Sequence, residues 1–193
     1  QSVCTAAHAE GLRTHLDGAR VWHAIIASNH NAKTITAQFD TVSACFSKGL
    51  GCPAGSVLMG TKDVIRRAHR IRKMFGGTMR QTGILAGAAA FAIDHQLERL
   101  VEDHLHAKAL ATGINQISGL SCDVENTETN LVFIDIDRSL GDGATLCRKL
   151  WKNGILAEAL DPQRVRFVTH LGVTDADIER AIQVTADTCH EMD

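Results

Sequence analysis

Apolar and polar positions alternate along this chain in two rhythms. From Gly11 to about residue 65, short apolar runs of strand length (12–16, 41–46 and 56–59) are separated by glycine-rich or polar turns. A short helical piece over 22–27 lies between the first two runs. Before them, Val3, Ala6 and Ala7 recur at helical spacing and Gly11 stands as a C-cap, so residues 1–11 read as the end of an amphipathic helix. Neither an N-terminal cap nor an initiator methionine precedes it, and the chain is expected to be a fragment of a larger polypeptide.

From Thr61 the rhythm turns helical, first over 62–72 and then over a long alanine- and leucine-rich stretch from about 80 to 117. Met79, Thr82, Gly83, Leu85, Ala86, Ala89 and Ala90 make a wide face of small residues, expected to pack closely against neighbours. Beyond Ser118 the pattern predicts a strand over 130–136, a helix over 142–152, a strand over 164–169 and a closing helix over 175–191 with Thr174 as its N-cap. Strands alternating with helices, with polar residues at strand ends, predict an α/β fold followed by a smaller lobe of mixed α and β structure. There is no internal repeat and no low-complexity linker.

Composition narrows the function classes. At 193 residues the chain is long enough to bury a core without staples. Its six cysteines show no CxxC pair and no zinc-like spacing to histidine, so they read as small buried hydrophobes in a reducing compartment, and the default location is cytoplasmic. Cys45 and Cys52 flank Lys48 but have no activating neighbour in sequence. A formal charge of −2 and few aromatics argue against nucleic acid as a partner, and no apolar run reaches the ~20 residues of a membrane span. Ten histidines contain no HExxH or similar pattern, so no metal site is expected.

The chemistry concentrates at two apolar-to-polar junctions. Lys48 follows an apolar run and opens a glycine-rich turn, Ser47-Lys48-Gly49-Leu50-Gly51. Upstream, Thr14-His15-Leu16-Asp17-Gly18-Ala19-Arg20 ends in a carboxylate and a guanidinium three positions apart. An amine to hold an aldehyde as an imine, an anion to keep a pyridine nitrogen protonated and a cation for a phenolic oxygen are the needs of pyridoxal phosphate. The plainer readings are a solvated loop lysine and an N-capping aspartate with a surface arginine.

Three further groups stand out. Arg66, Arg67, Arg70, Arg72, Lys73 and Arg80 surround Gly76-Gly77. They read either as a solvated helix face or as a run from which Lys73 and Arg80 reach a phosphate or carboxylate. Arg166 lies inside the apolar strand over 164–169, sharing a face with Arg164 and Val168. It is a candidate clamp for a substrate carboxylate, with a salt bridge to an acidic neighbour as the alternative. His15 and His170, near proposed strand ends, are candidate acid-base groups.

Four motifs in order, His15-Leu16-Asp17-Gly18-Ala19-Arg20, Ser47-Lys48-Gly49-Leu50-Gly51, the run from Arg72 to Gln81, and Val165-Arg166-Phe167-Val168-Thr169-His170-Leu171, resemble those of the low-specificity L-threonine aldolases, fold type I pyridoxal-phosphate enzymes related to aspartate aminotransferase. The resemblance implies that residues 1–90 are the C-terminal portion of a large cofactor-binding α/β/α domain, and that 91–193 are a connecting helix and a small C-terminal α+β domain. It implies Lys48 as the imine-forming lysine, Asp17 facing the pyridine nitrogen, Arg20 facing the phenolic oxygen and Arg166 binding the substrate carboxylate, with Lys73 and Arg80 lining the site. The activity implied is cleavage of L-threonine, L-allo-threonine and related β-hydroxy-α-amino acids to glycine and an aldehyde. The assembly implied is a homo-oligomer, dimer or tetramer, with shared active sites. The family's phosphate-binding loop and ring-stacking histidine belong to a preceding segment, and His23 stands where the family often shows asparagine. β-Elimination, transamination or racemisation on the same scaffold stays open, as does a non-catalytic fragment that needs the missing segment.

Overall fold

A computed structural model describes residues 2–192. The chain divides into two compact units, one running to Leu100 and the other from Val101 onward. Leu97 and Leu100 pack into the core of the first unit with Leu50, Cys52, Ala89 and Ala92.

In the first unit, α1 (Ser2–Ala9) leads into β1 (His15–Gly18), α2 (Val21–Ser28), α3 (Ala32–Thr36), β2 (Thr41–Cys45), β3 (Ser56–Gly60), α4 (Lys62–Met74) and α5 (Gly83–His95). The three strands form a sheet in the order β1-β2-β3, with β1 parallel to β2 and β3 antiparallel to it. Pairing of Leu16 with Val42 and Gly18 with Ala44 lines up one apolar face; pairing of His15 with Thr41 and Asp17 with Ser43 makes the opposite face polar.

The expected strand over 12–16 begins three residues late. Leu12, Arg13 and Thr14 serve instead as a connector tied to Asp40: Arg13 Nη1 donates to its carboxylate at 2.7 Å, and the Thr14 backbone N–H at 2.8 Å. The long helix expected over 80–117 is two helices, α5 and α6 (Leu100–Ile114), broken where Leu97 turns into the core and Leu100 N–H donates to Leu97 C=O. The small-residue face is also less packed than its composition suggests. Of α5, Ala89 and Ala92 are buried, and Leu85, Ala86, Ala89 and Ala90 line an open apolar cavity of about 660 Å³ with Phe46 and Met79.

The second unit holds the remainder of α6, then β4 (Leu120–Cys122), β5 (Leu131–Ile136), α7 (Gly143–Lys152), β6 (Glu158–Asp161), β7 (Arg164–Val168) and α8 (Asp175–His190). Its sheet is antiparallel, in the order β4-β5-β7-β6. Alternation buries Val132, Ile134 and Ile136 of β5 and Val165 and Phe167 of β7 against Leu146 and Leu150 of α7, Ile178 and Ala181 of α8, and Ala107, Leu110, Ala111 and Ile114 of α6. The last four recur at helical spacing, as a one-sided core stripe requires. Helix α8 starts at a capping box, in which Thr174 and Asp177 satisfy each other's backbone N–H groups. No helix among the described residues is long and apolar enough to cross a membrane.

Candidate active site

Parallel strands deliver their carboxyl ends to the same edge of a sheet, and β1 and β2 do so with Asp17 and Lys48. Asp17 is the third residue of β1; Arg20 follows as the N-cap of α2; Lys48 lies three residues past the end of β2. The ends of the two strands are held hard together. A Cβ at Gly18 would fall 2.4 Å from the Ser43 carbonyl oxygen, so only glycine closes β1 against β2 here. Asp17 is exposed, and its Oδ1 accepts the Ala19 N–H at 3.1 Å in an Asx turn.

The Lys48 turn is anchored on both flanks. Upstream, Trp22 Nε1–H donates to the Cys45 carbonyl at 3.0 Å and the indole stacks on Phe46, with ring centroids 6.0 Å apart. Gly51 N–H donates to Lys48 C=O at 2.9 Å, and Cys52 N–H to Phe46 C=O at 3.1 Å. Leu50 is buried in the core just beyond, while Lys48 itself is exposed. A flexible amine is thereby carried on a backbone fixed before and after it. Burial pushes the Cys52 thiol up, away from thiolate character, so the cysteine beside this turn is a packing residue rather than a nucleophile.

Of the other expected site residues in this unit, His15 shares the polar face of β1 with Asp17. Its Nδ1 lies 2.8 Å from Thr41 Oγ1, and its Nε2 lies 3.5 Å from Ser43 Oγ. Lys73, in the last turn of α4, and Arg80, in the loop before α5, are exposed on either side of Gly76-Gly77. No hydrogen bond or ion pair among the described residues joins them to Asp17 or Lys48.

The second unit carries Arg166 and His170. Arg166 points from the solvent-facing side of β7, as alternation predicts, and its Nη2 donates to Glu158, its direct partner across β6 and β7. The salt-bridge alternative for Arg166 is therefore realised, while its Nε is buried with no hydrogen-bond partner among the described residues. His170 Nδ1 accepts the Gly172 N–H at 3.1 Å. A backbone N–H only donates, so in the neutral ring the proton sits on Nε2, and this imidazole presents a donor outward.

Two residues of this architecture received no role from the motifs, although His23 stands where the family often shows asparagine. His23 is 1% exposed beneath the Lys48 turn, and Glu158 engages Arg166. Each takes its part from a partner distant in sequence, His23 from Gly49 and Glu158 from Arg166. The set of groups at the first-unit edge, an exposed amine, an exposed carboxylate and a guanidinium, matches what pyridoxal phosphate requires of a protein.

The profile of the family described as beta-eliminating lyase matches residues 1–137. A probable low-specificity L-threonine aldolase 2 of Arabidopsis thaliana is 40% identical over 170 residues, which are 88% of this chain and 48% of that protein. The low specificity L-threonine aldolase of Escherichia coli strain K12 is 40% identical over 163 residues, 84% of this chain and 47% of that one. Among solved structures, a putative L-allo-threonine aldolase of Listeria monocytogenes EGD-E superposes with a TM-score of 0.77 at 22% identity, over 97% of this chain and 55% of that chain. A high-resolution structure of SPT with PLP superposes at a TM-score of 0.72 and 16% identity, over 98% of this chain and 50% of that one. The chain spans about half the length of the curated relatives it matches.

Proposed function

This chain belongs to the beta-eliminating lyase family, and from that membership we propose that it carries the central residues of a pyridoxal-phosphate-dependent aldolase. Its substrates are L-threonine, L-allo-threonine and related β-hydroxy-α-amino acids, cleaved to glycine and an aldehyde. The family is pyridoxal-phosphate dependent. The observation that carries the reading is the delivery of Asp17, Arg20 and Lys48 to one edge by the parallel pair β1 and β2.

When bound, the cofactor supplies an aldehyde that takes up amines and a ring that accepts the electron pair released from the Cα–Cβ bond. Lys48 Nζ would hold it, Asp17 would keep its pyridine nitrogen protonated and Arg20 would face its phenolic oxygen. Arg166 binds the substrate carboxylate, taking its guanidinium from Glu158 or sharing it. A base removes the proton from the β-hydroxyl, the Cα–Cβ bond breaks, the aldehyde departs and a proton returned to Cα gives glycine. With its Nδ1 lone pair engaged by Gly172, His170 serves this sequence as a hydrogen-bond donor, and His15, whose ring nitrogens face the hydroxyls of Thr41 and Ser43, is the remaining candidate for proton acceptance. Lys73 and Arg80 supply positive charge at the rim for the cofactor phosphate or the substrate.

The active assembly in this proposal is a homo-oligomer with shared sites. Met74, Phe75 and Ile84 are 73%, 86% and 76% exposed on one unit, an apolar surface of the kind that subunits cover.

The family description gives β-elimination a specific claim as the second reading. Products from L-threonine separate the two: glycine with acetaldehyde marks carbon–carbon cleavage, and 2-oxobutanoate marks elimination. The proposal expects the first, and 2-oxobutanoate as the main product overturns it.

A further inference from the structure

Helix α2 begins immediately after Asp17 and Arg20, and its first turn touches both flanks of the Lys48 turn. Trp22 takes the upstream side, through the Cys45 carbonyl and the Phe46 ring. His23 takes the downstream side. It is 1% exposed, and a Cβ built at Gly49 would fall 2.2 Å from its Nε2, 2.7 Å from its Cε1 and 2.9 Å from Leu100 Cδ2. An imidazole on a core helix is not the loose end of a flexible chain, so the Gly49 backbone lies flush on a ring that has little room to yield. Position 49 accepts no side chain for this reason, although the residue before it must project its own freely.

We propose that His23 is a positioning residue for Lys48. Its ring is the floor on which the turn rests, and the fit between that ring and Gly49 sets where the Lys48 amine is presented. The inference rests on the reading of Lys48 as the amine that holds the cofactor. It adds a direct mechanical link: the turn of α2 that follows the ring-binding pair Asp17 and Arg20 also sets the height of the lysine. A change at position 23 thus moves Lys48 relative to Asp17 without touching either.

A double-mutant cycle tests this with two readouts. The first needs no cofactor: hydrogen exchange at the Gly51 amide, which donates to Lys48 C=O and so reports whether the turn stays closed. The second is borohydride trapping of pyridoxal phosphate on the Lys48 peptide, followed by mass spectrometry. Gly49→Ala alone is expected to speed Gly51 exchange and to cut trapping about tenfold or more, because the new methyl meets the ring. In a His23→Ala background the same methyl enters the space the imidazole leaves, and both readouts return toward those of the unaltered chain. The expected coupling lies between about twofold and a hundredfold. His23→Asn, which shortens the ring edge but retains a polar side chain, carries the same comparison should His23→Ala fail to fold.

Strictly additive effects of Gly49→Ala and His23→Ala on both readouts overturn the proposal, as does Gly49→Ala leaving Gly51 exchange unchanged. A trapped label that persists in Lys48→Ala overturns the lysine reading instead, while the exchange cycle still reports on the floor.

Discussion

Arg166 and Glu158 face each other across β7 and β6 at 29% and 60% side-chain exposure, so their pair contributes no more than about 1 kcal/mol. A substrate carboxylate offering two parallel acceptors competes well for that guanidinium. Arg166→Gln should raise KM for L-threonine by about 10- to 100-fold with a smaller change in kcat, the size of a lost charge-assisted hydrogen bond. Steady-state kinetics check it, and an unchanged KM removes Arg166 from substrate binding. His170→Asn keeps an acceptor for the Gly172 N–H, and with Nε2 as a donor rather than a base it should leave the acidic limb of the kcat/KM profile in place. Disappearance of that limb would make His170 the base after all. At this scale the placement of Asp17, Arg20 and Lys48 at the ends of β1 and β2 was legible, because their motifs are contiguous and end at apolar-to-polar junctions. The contacts of His23 and Glu158 were not, since a histidine and a glutamate acquire their parts only when α2 meets Gly49 and β6 meets β7.

Elements were legible where their period was long. Helices α4, α7 and α8 and strands β2, β5 and β7 lie within one or two residues of the expected positions. Strands β4 and β6, three and four residues long, and the five-residue α3 offer too few positions for a period to show. The 80–117 stretch read as one helix because alanine and leucine favour helix throughout; its break at 96–99 is set by the tertiary burial of Leu97 and Leu100. The junction of α1 with the first sheet carries a pH signature. The Thr14 backbone N–H, the Arg13 guanidinium and His8 hold the Asp40 carboxyl well below its ordinary value of 3.8. A carboxyl lowered on folding stabilises the fold above the unfolded pKa, and that stability is lost as pH falls from about 4 through the folded pKa. Denaturant titrations of this chain below pH 4 should show a falling midpoint, and Asp40→Asn should flatten that fall while lowering the midpoint at neutral pH. An identical slope in both would assign the acid sensitivity elsewhere. In the second unit, Thr174→Ala removes the cap of α8 and should cost about 1 kcal/mol by the same titration at pH 7.

For the molecule as a whole, the fold class was legible from the alternation of strands and helices, and the family from four motifs in order. The exposure of the α4–α5 region was not, because small and apolar residues there look like a packed core until their burial is seen. That surface bears on the proposed assembly: sedimentation at micromolar concentration should show a dimer or larger species, with Phe75→Asp and Ile84→Asp shifting it toward monomer. A strictly monomeric chain would contradict the shared-site arrangement. The central claim, however, is that Lys48 is the amine presented to the cofactor at the edge where β1 and β2 end. Its most direct test is incubation of this chain with pyridoxal phosphate, reduction with borohydride and peptide mapping. The account predicts one pyridoxyl label, on the peptide carrying Lys48, absent from Lys48→Ala. Label on another lysine such as Lys73, or an undiminished label in Lys48→Ala, would contradict it.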